Sequence, residues 1–152
     1  MAAPRPFLVS LTAAAALAAG GHAVAADVSP CKVLTESDVR RVLGAGWKFV
    51  ESVSGDEVCG YMGATNAFTT ITLYYSEDGA DAILAMRRKM AGDRATPVEG
   101  PGAGAFRFTT PMATVILFGK GEWTAQLDLT LAASTDTSLL DRLARRAYDR
   151  LP

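Results

Sequence analysis

The sequence predicts an α+β fold: an antiparallel sheet of about six or seven strands with two or three helices packed on one face. Three observations carry this. Trp123, Ala125, Leu127, Leu129 and Leu131 alternate with Thr124, Gln126, Asp128 and Thr130, the period-two pattern of a strand with one buried face. Most neighbouring strand-like stretches are joined by turns too short for a parallel crossover. Three capped segments with apolar stripes at helical spacing punctuate the strands.

The elements follow in order. In "VLTESDVRRVLG", Thr35 fits an N-cap and Asp38 sits where a capping box prefers Glu. Leu34 and Val39 take the staple positions and Gly44 stops the helix. At barely two turns, this helix is too short to persist alone. "WKFVESV" reads as a short strand and "DEVCGYMGA" as a second after an "SGDE" turn. "AFTTITLYYS" is β-branched, aromatic and alternating, with Ile71, Leu73 and Tyr75 on one side and Thr70, Thr72 and Tyr74 on the other.

"EDGADAILAMRRKMAG" is helical, with Asp78 as cap, an apolar stripe of Ala82, Ile83, Met86 and Met90, and Gly92 at the end. Its "RRK", Arg87 to Lys89, reads as a solvated helix end whose cations complement the dipole, with an anion site as the competing reading. "ATPVEG", "AFRFTT", "MATVILFGKG" and "EWTAQLDLTL" supply four further strands, the last two joined at "GKG". A final helix runs from about Thr137 to Leu151 with a stripe of Leu139, Leu140, Leu143, Ala147 and Leu151. The helix-then-strands order occurs twice, hinting at a duplicated unit, although no residues match between the halves.

Residues 1–26 have the parts of a cleaved signal peptide. Arg5 gives a positive start, Phe7 to Ala19 is an apolar run, and Ala23-Val24-Ala25-Ala26 offers small residues for cleavage before Ala26 or Asp27. A membrane anchor is the competing reading, but the run falls short of the ~20 apolar residues that span a bilayer. The expected mature chain, residues 27–152, is a single α+β domain located in the periplasm or secreted. Cleavage removes Arg5 and leaves 14 basic against 16 acidic residues, a balance with no attraction for nucleic acid or anionic membranes. No membrane insertion is expected after cleavage.

The one histidine of the sequence, His22, leaves with the signal. The mature chain then has no histidine, which removes Ser-His-Asp and Cys-His catalysis and H-E-x-x-H zinc sites. Cys31 and Cys59, the two cysteines of an exported chain, are expected to form a disulfide closing a loop of about 29 residues. There is no C-x-x-C motif for a redox role.

Other motifs resolve into structure. The glycines of "GPGAGAF" are followed by a strand rather than the helix N-terminus that phosphate binding needs, so they read as a turn. "SPCK" has the S-x-x-K spacing of penicillin-recognising enzymes, but it lies in a flexible leader with Pro30 inside it. The carboxylates of Glu77, Asp78 and Asp81, and of Asp56 and Glu57, sit at a helix start and in a turn, without apolar neighbours to raise a pKa. No catalytic, cofactor or metal motif is present.

"CKVLTESDVRRVLG", "CGYMG", "VEGPGAGAF" and "GKGEWTAQLDLTL" resemble a pattern of small bacterial secreted and lipoprotein domains of uncharacterised function: C-x-L-L-T, a glycine, C-x-Y, a V-x-G-x-G-x-x-A turn and a late strand. The chain departs from it in lacking a lipidation cysteine. The resemblance implies an envelope-associated, non-catalytic domain and carries over no active-site residue.

The function expected is that of an exported binding or accessory module, partner-binding or inhibitory, with another envelope protein as its partner. The alternative is a small carboxylate-dependent hydrolase of the envelope. If three helices cover one sheet face, the other is open and carries Thr70, Thr72 and Tyr74, with Thr124, Gln126, Asp128 and Thr130 beside them. Arg107 joins them if Phe106 and Phe108 point inward. Tyr74, Arg107, Thr124, Gln126 and Asp128 are therefore the candidate binding residues.

Overall fold

The structure, a computed structural model, describes residues 27–64, 66–130 and 136–152. The expected signal segment and Leu131 lie outside these.

The first helical residues are a single turn, α1 (Pro30–Val33), where the sequence suggested only a flexible leader. Proline at the first position suits a helix start, because its missing N–H would be unpaired there anyway. The expected helix follows as α2 (Glu36–Leu43), with the Thr35–Asp38 capping box formed and Gly44 ending it at φ 116°. Leu34 and Val39 are both fully buried, as staple residues should be.

Seven strands make one antiparallel sheet: β1 (Lys48–Phe49), β2 (Val58–Met62), β3 (Phe68–Tyr75), β4 (Thr96–Pro97), β5 (Phe106–Thr109), β6 (Ala113–Lys120) and β7 (Trp123–Thr130). Their spatial order is β1-β2-β3-β7-β6-β5-β4. Two further helices complete the fold, α3 (Ala80–Ala91) between β3 and β4, and α4 (Thr137–Arg150) after β7. The "WKFVESV" stretch is strand only over two residues and then turns into a short 3-10 segment, Glu51–Val53.

The main core lies on one face. Tyr61, Ile71, Leu73, Ile116, Phe118, Ala125, Leu127 and Leu129 pack against Val33 and Leu34, Val39 and Val42 of α2, and Leu140, Leu143, Ala144 and Ala147 of α4. Two helices and the short α1 thus share this face. The third differs. Leu84 and Ala91 of α3 form a separate cluster with Phe106, Val115 and Leu117, whose side chains alternate with those of the main core and so point from the opposite face. Of the two or three helices expected on one face, α2 and α4 lie there, and the premise that a third joins them is corrected here. A run of five consecutive buried residues, Thr114 to Phe118 in β6, is what a strand covered on both sides requires.

The stripe expected on α3 is also out of phase. Ala82 is exposed, Met86 and Met90 are 51% and 71% exposed, and the buried residues are Ala80, Leu84 and Ala91. A small residue is needed at the contact. A Cβ placed on Gly119 of β6 would lie 2.4 Å from Ala80 Cβ and 3.0 Å from the Trp123 carbonyl oxygen. Gly119→Ala is accordingly expected to push α3 off the sheet and cost roughly 1–3 kcal/mol in urea unfolding; an unchanged midpoint would show that α3 does not need this close approach. The helix is capped by Gly79 at φ 84°, without a side-chain bond, instead of by Asp78.

The opposite placement of α2 and α3 bears on the hint of duplication. Strands β3 and β7 are antiparallel neighbours at the middle of the sheet, so a rotation exchanging the halves has to run perpendicular to it. Such a rotation keeps each helix on its own face. With α2 and α3 on different faces, the halves are not related in this way.

The glycine-rich loop is a turn under α4. Gly100 and Gly102 have φ of 111° and 88°, and added Cβ atoms would fall 2.3 Å from Arg145 Nε and 2.6 Å from Tyr148 Cε2. Arg145 donates to the Glu99 carbonyl at 3.0 Å above it.

Two side-chain systems tie the N-terminal segment to the rest. Cys31 and Cys59 are joined by a disulfide linking α1 to β2. The Tyr61 hydroxyl donates to the Leu34 carbonyl, and burial, with the nearby carboxylates of Asp38 and Glu36, pushes its pKa up to about 12. Asp38 is only 4% exposed. It accepts from Arg150 through both nitrogens and from Thr35, with Arg146 at 3.5 Å. Burial alone would raise the Asp38 pKa, but the Arg150 and Thr35 hydrogen bonds outweigh it and hold it at about 2.

Candidate binding cleft on the second sheet face

Because α3 lies over β5 and β6, the second face is covered on that half; at the β2 edge Val53 of the 3-10 segment packs over Gly60, and the face is open over β3 and part of β7. Residues paired across antiparallel strands share a face, so the register lays out the open half. Thr70 pairs with Asp128, and Asp128 with Val115. Thr72 pairs with Gln126, and Gln126 with Leu117. Tyr74 pairs with Thr124, and Thr124 with Gly119.

Three of the five expected binding residues, Tyr74, Gln126 and Asp128, are thereby brought together, each half-buried. The Gln126 amide donates to both Asp128 oxygens, at 3.2 and 3.0 Å. Burial raises the Asp128 pKa against the opposing hydrogen bonds of Gln126 and Thr70.

The other two are placed elsewhere. Thr124 is on this face but 0% exposed, and its hydroxyl has no hydrogen-bond partner among the described residues. Its neighbour Gly119 touches the first turn of α3, which closes this end of the face. Arg107 is corrected to the opposite face. It pairs with Ile116 of the main core and forms an ion pair with Asp141 of α4 at 2.8 Å. Phe106 and Phe108 do point into an apolar cluster, but that cluster is the one beneath α3, so Arg107 faces the main core instead of the open side.

Two arginines absent from the expected set reach this face. The Arg87 guanidinium stands 5.7 Å from the centre of the Tyr74 ring, and that of Arg94 stands 6.0 Å from the Phe108 ring. Neither has a carboxylate within 4.0 Å among the described residues. Between them lies a cleft of about 210 Å³, with Arg87 and Met90 of α3 and Arg94 of the 3-10 segment that follows it (Gly92–Arg94) on one side and Phe108, Leu117 and Gln126 of the sheet on the other. Arg87 belongs to the "RRK" run, whose other members, Arg88 and Lys89, are exposed. The phase of α3 was the signal that could have found it: with Leu84 and Ala91 facing the sheet, Arg87 lies between them on the same side.

The cleft therefore offers two cations, one amide and an apolar floor, with no carboxylate in its lining. Among the described residues no group of three or more metal-ligating side chains occurs, and no helix is long and apolar enough to cross a membrane.

No protein-family model and no curated protein matches the chain. Among solved structures, a protein from Bacteroides thetaiotaomicron VPI-5482, known from a crystal structure at 1.50 Å resolution, is similar, with a TM-score of 0.47 and 10% identity over 67% of this chain and 41% of that one. The chain spans less than half the length of that protein, and a likeness of this degree carries no argument about function.

Proposed function

We propose that the chain is an exported, non-catalytic binding or accessory module of the cell envelope, and that it takes its partner on the open half of the second sheet face. The observation that carries this reading is the cleft beside that half-sheet, lined by Gln126, Arg87 and Arg94, with Tyr74 beneath the Arg87 guanidinium and no carboxylate within 4.0 Å of either arginine among the described residues. The Cys31–Cys59 disulfide supports an oxidising compartment, in keeping with the signal-like first 26 residues.

The test is capture from periplasmic extract by the tagged, exported protein, whose intact mass should correspond to a start at Ala26 or Asp27. The parent is compared with Tyr74→Ala/Gln126→Ala; both positions are half-buried and the change should cost roughly 1–2 kcal/mol, so both proteins are first shown to be folded by thermal unfolding. Species bound by the parent are expected to be lost or reduced at least tenfold with the double variant. Equal recovery by both proteins removes this face as the binding surface.

A further inference from the structure

We propose that the cleft between α3 and the sheet binds a short organic dianion, two carboxylate-like groups joined by an apolar spacer. This rests on the reading of the open half-sheet as the binding surface and specifies what that surface recognises.

The charge comes first. The lining holds two guanidiniums and no acid, in a protein whose formal net charge is −1. Complementing the dipole of α3 does not account for both, since Arg88 and Lys89 serve that purpose from exposed positions. Arg87 is instead half-buried over Tyr74. A guanidinium stacked on a ring keeps its N–H edge available for bidentate pairing with a carboxylate.

The spacing selects two anions over one. Arg87 lies in the last turns of α3, and Arg94 lies beyond its end, in the short 3-10 segment Gly92–Arg94. The rings beneath them belong to β3 and β5, three steps apart in the sheet, or about 14 Å. The two cations thus mark opposite ends of the cleft, and a compact anion such as phosphate cannot meet both. Between them, Met90 and Leu117 present apolar surface, and Gln126 is held in place by its bonds to Asp128. That middle suits a hydrocarbon spacer. At about 210 Å³, the cleft is below the usual ~300–1,000 Å³ of drug-sized sites, which limits the ligand to a small one.

The same chemistry has two sources, a free diacid or the acidic end of a peptide, where a side-chain carboxylate and the terminal carboxylate supply the two charges. Calorimetric titration of the exported protein at low salt uses straight-chain diacids from glutarate to suberate, hexanoate, inorganic phosphate, and a short peptide ending in glutamate with a free or amidated terminus. At least one diacid, or the free-acid peptide, is expected to bind tenfold or more tighter than hexanoate and phosphate. Arg87→Gln and Arg94→Gln are each expected to reduce it to the hexanoate level with the melting temperature unmoved. Tighter binding of the diacid assigns a free metabolite, and tighter binding of the free-acid peptide assigns a peptide end. Equal affinity for hexanoate, no binding by any dianion, or full affinity in both variants overturns the proposal. If no dianion binds but Tyr74→Ala/Gln126→Ala still abolishes capture, the ligand class fails while the binding surface stands.

Discussion

Replacing both cysteines, Cys31→Ser with Cys59→Ser, is expected to lower the melting temperature by on the order of 10 °C. The bridge spans 28 residues, and releasing a loop of that length from the unfolded chain costs roughly 3–4 kcal/mol in the chain-entropy model. Its native-state effect is local. Helix α1 is one turn and α2 two, neither able to persist alone, and the bond fastens this segment to β2. Cys59 is also fully buried, so the serine hydroxyl adds a desolvation cost at that end. Thermal unfolding of the oxidised parent, the reduced parent and the double variant checks this. The reduced parent should approach the variant, and coincidence of all three curves would show that the bridge is dispensable.

Asp38→Asn should cost about 2 kcal/mol at neutral pH, and the loss should disappear in acid. The folded pKa of Asp38, about 2, lies below its ordinary value of 3.8. The carboxylate therefore contributes stability that is fully present above pH ~4 and lost as the pH falls through about 2. Asparagine keeps the size of the side chain but leaves Arg150 and Arg146 without their counter-charge. Urea unfolding of parent and variant from pH 7 down to pH 2 should give curves that converge at the acid end. A gap that stays constant across the range would mean that packing, and not charge, is what Asp38 supplies.

Much of the architecture was legible because both periods are strong. The alternation in residues 123–130 fixes β7 and the face of each of its side chains, and the cap signals around Thr35 and Gly44 give α2 to within a residue. The side of the sheet taken by α3 was not legible from α3 itself. Its apolar residues are spread around the helix, and the two methionines that suggested a stripe are exposed. The information lay in β6, where "TVILF" has no polar alternation. Reading that run as covered on both sides would have moved α3 to the second face, Arg107 to the first and Arg87 into the cleft. The shared face of Tyr74, Gln126 and Asp128 was legible because the strands carrying them do alternate.

The clamp on Asp38 also sets an order of events. Arg150 reaches back across 112 residues to Asp38 and 117 to the Val33 carbonyl, and Lys120 holds the Leu151 carbonyl at 2.7 Å. Contacts between the two ends of a chain form late, because the long loop between them must close first. During synthesis, Asp38 lacks the arginines that match it until the last turns of α4 have emerged. The β3–β7 pair at the centre of the sheet likewise waits for the second half of the chain. The N-terminal helices are therefore expected to dock only once α4 has emerged, which would leave the front of a nascent chain open and threadable until then.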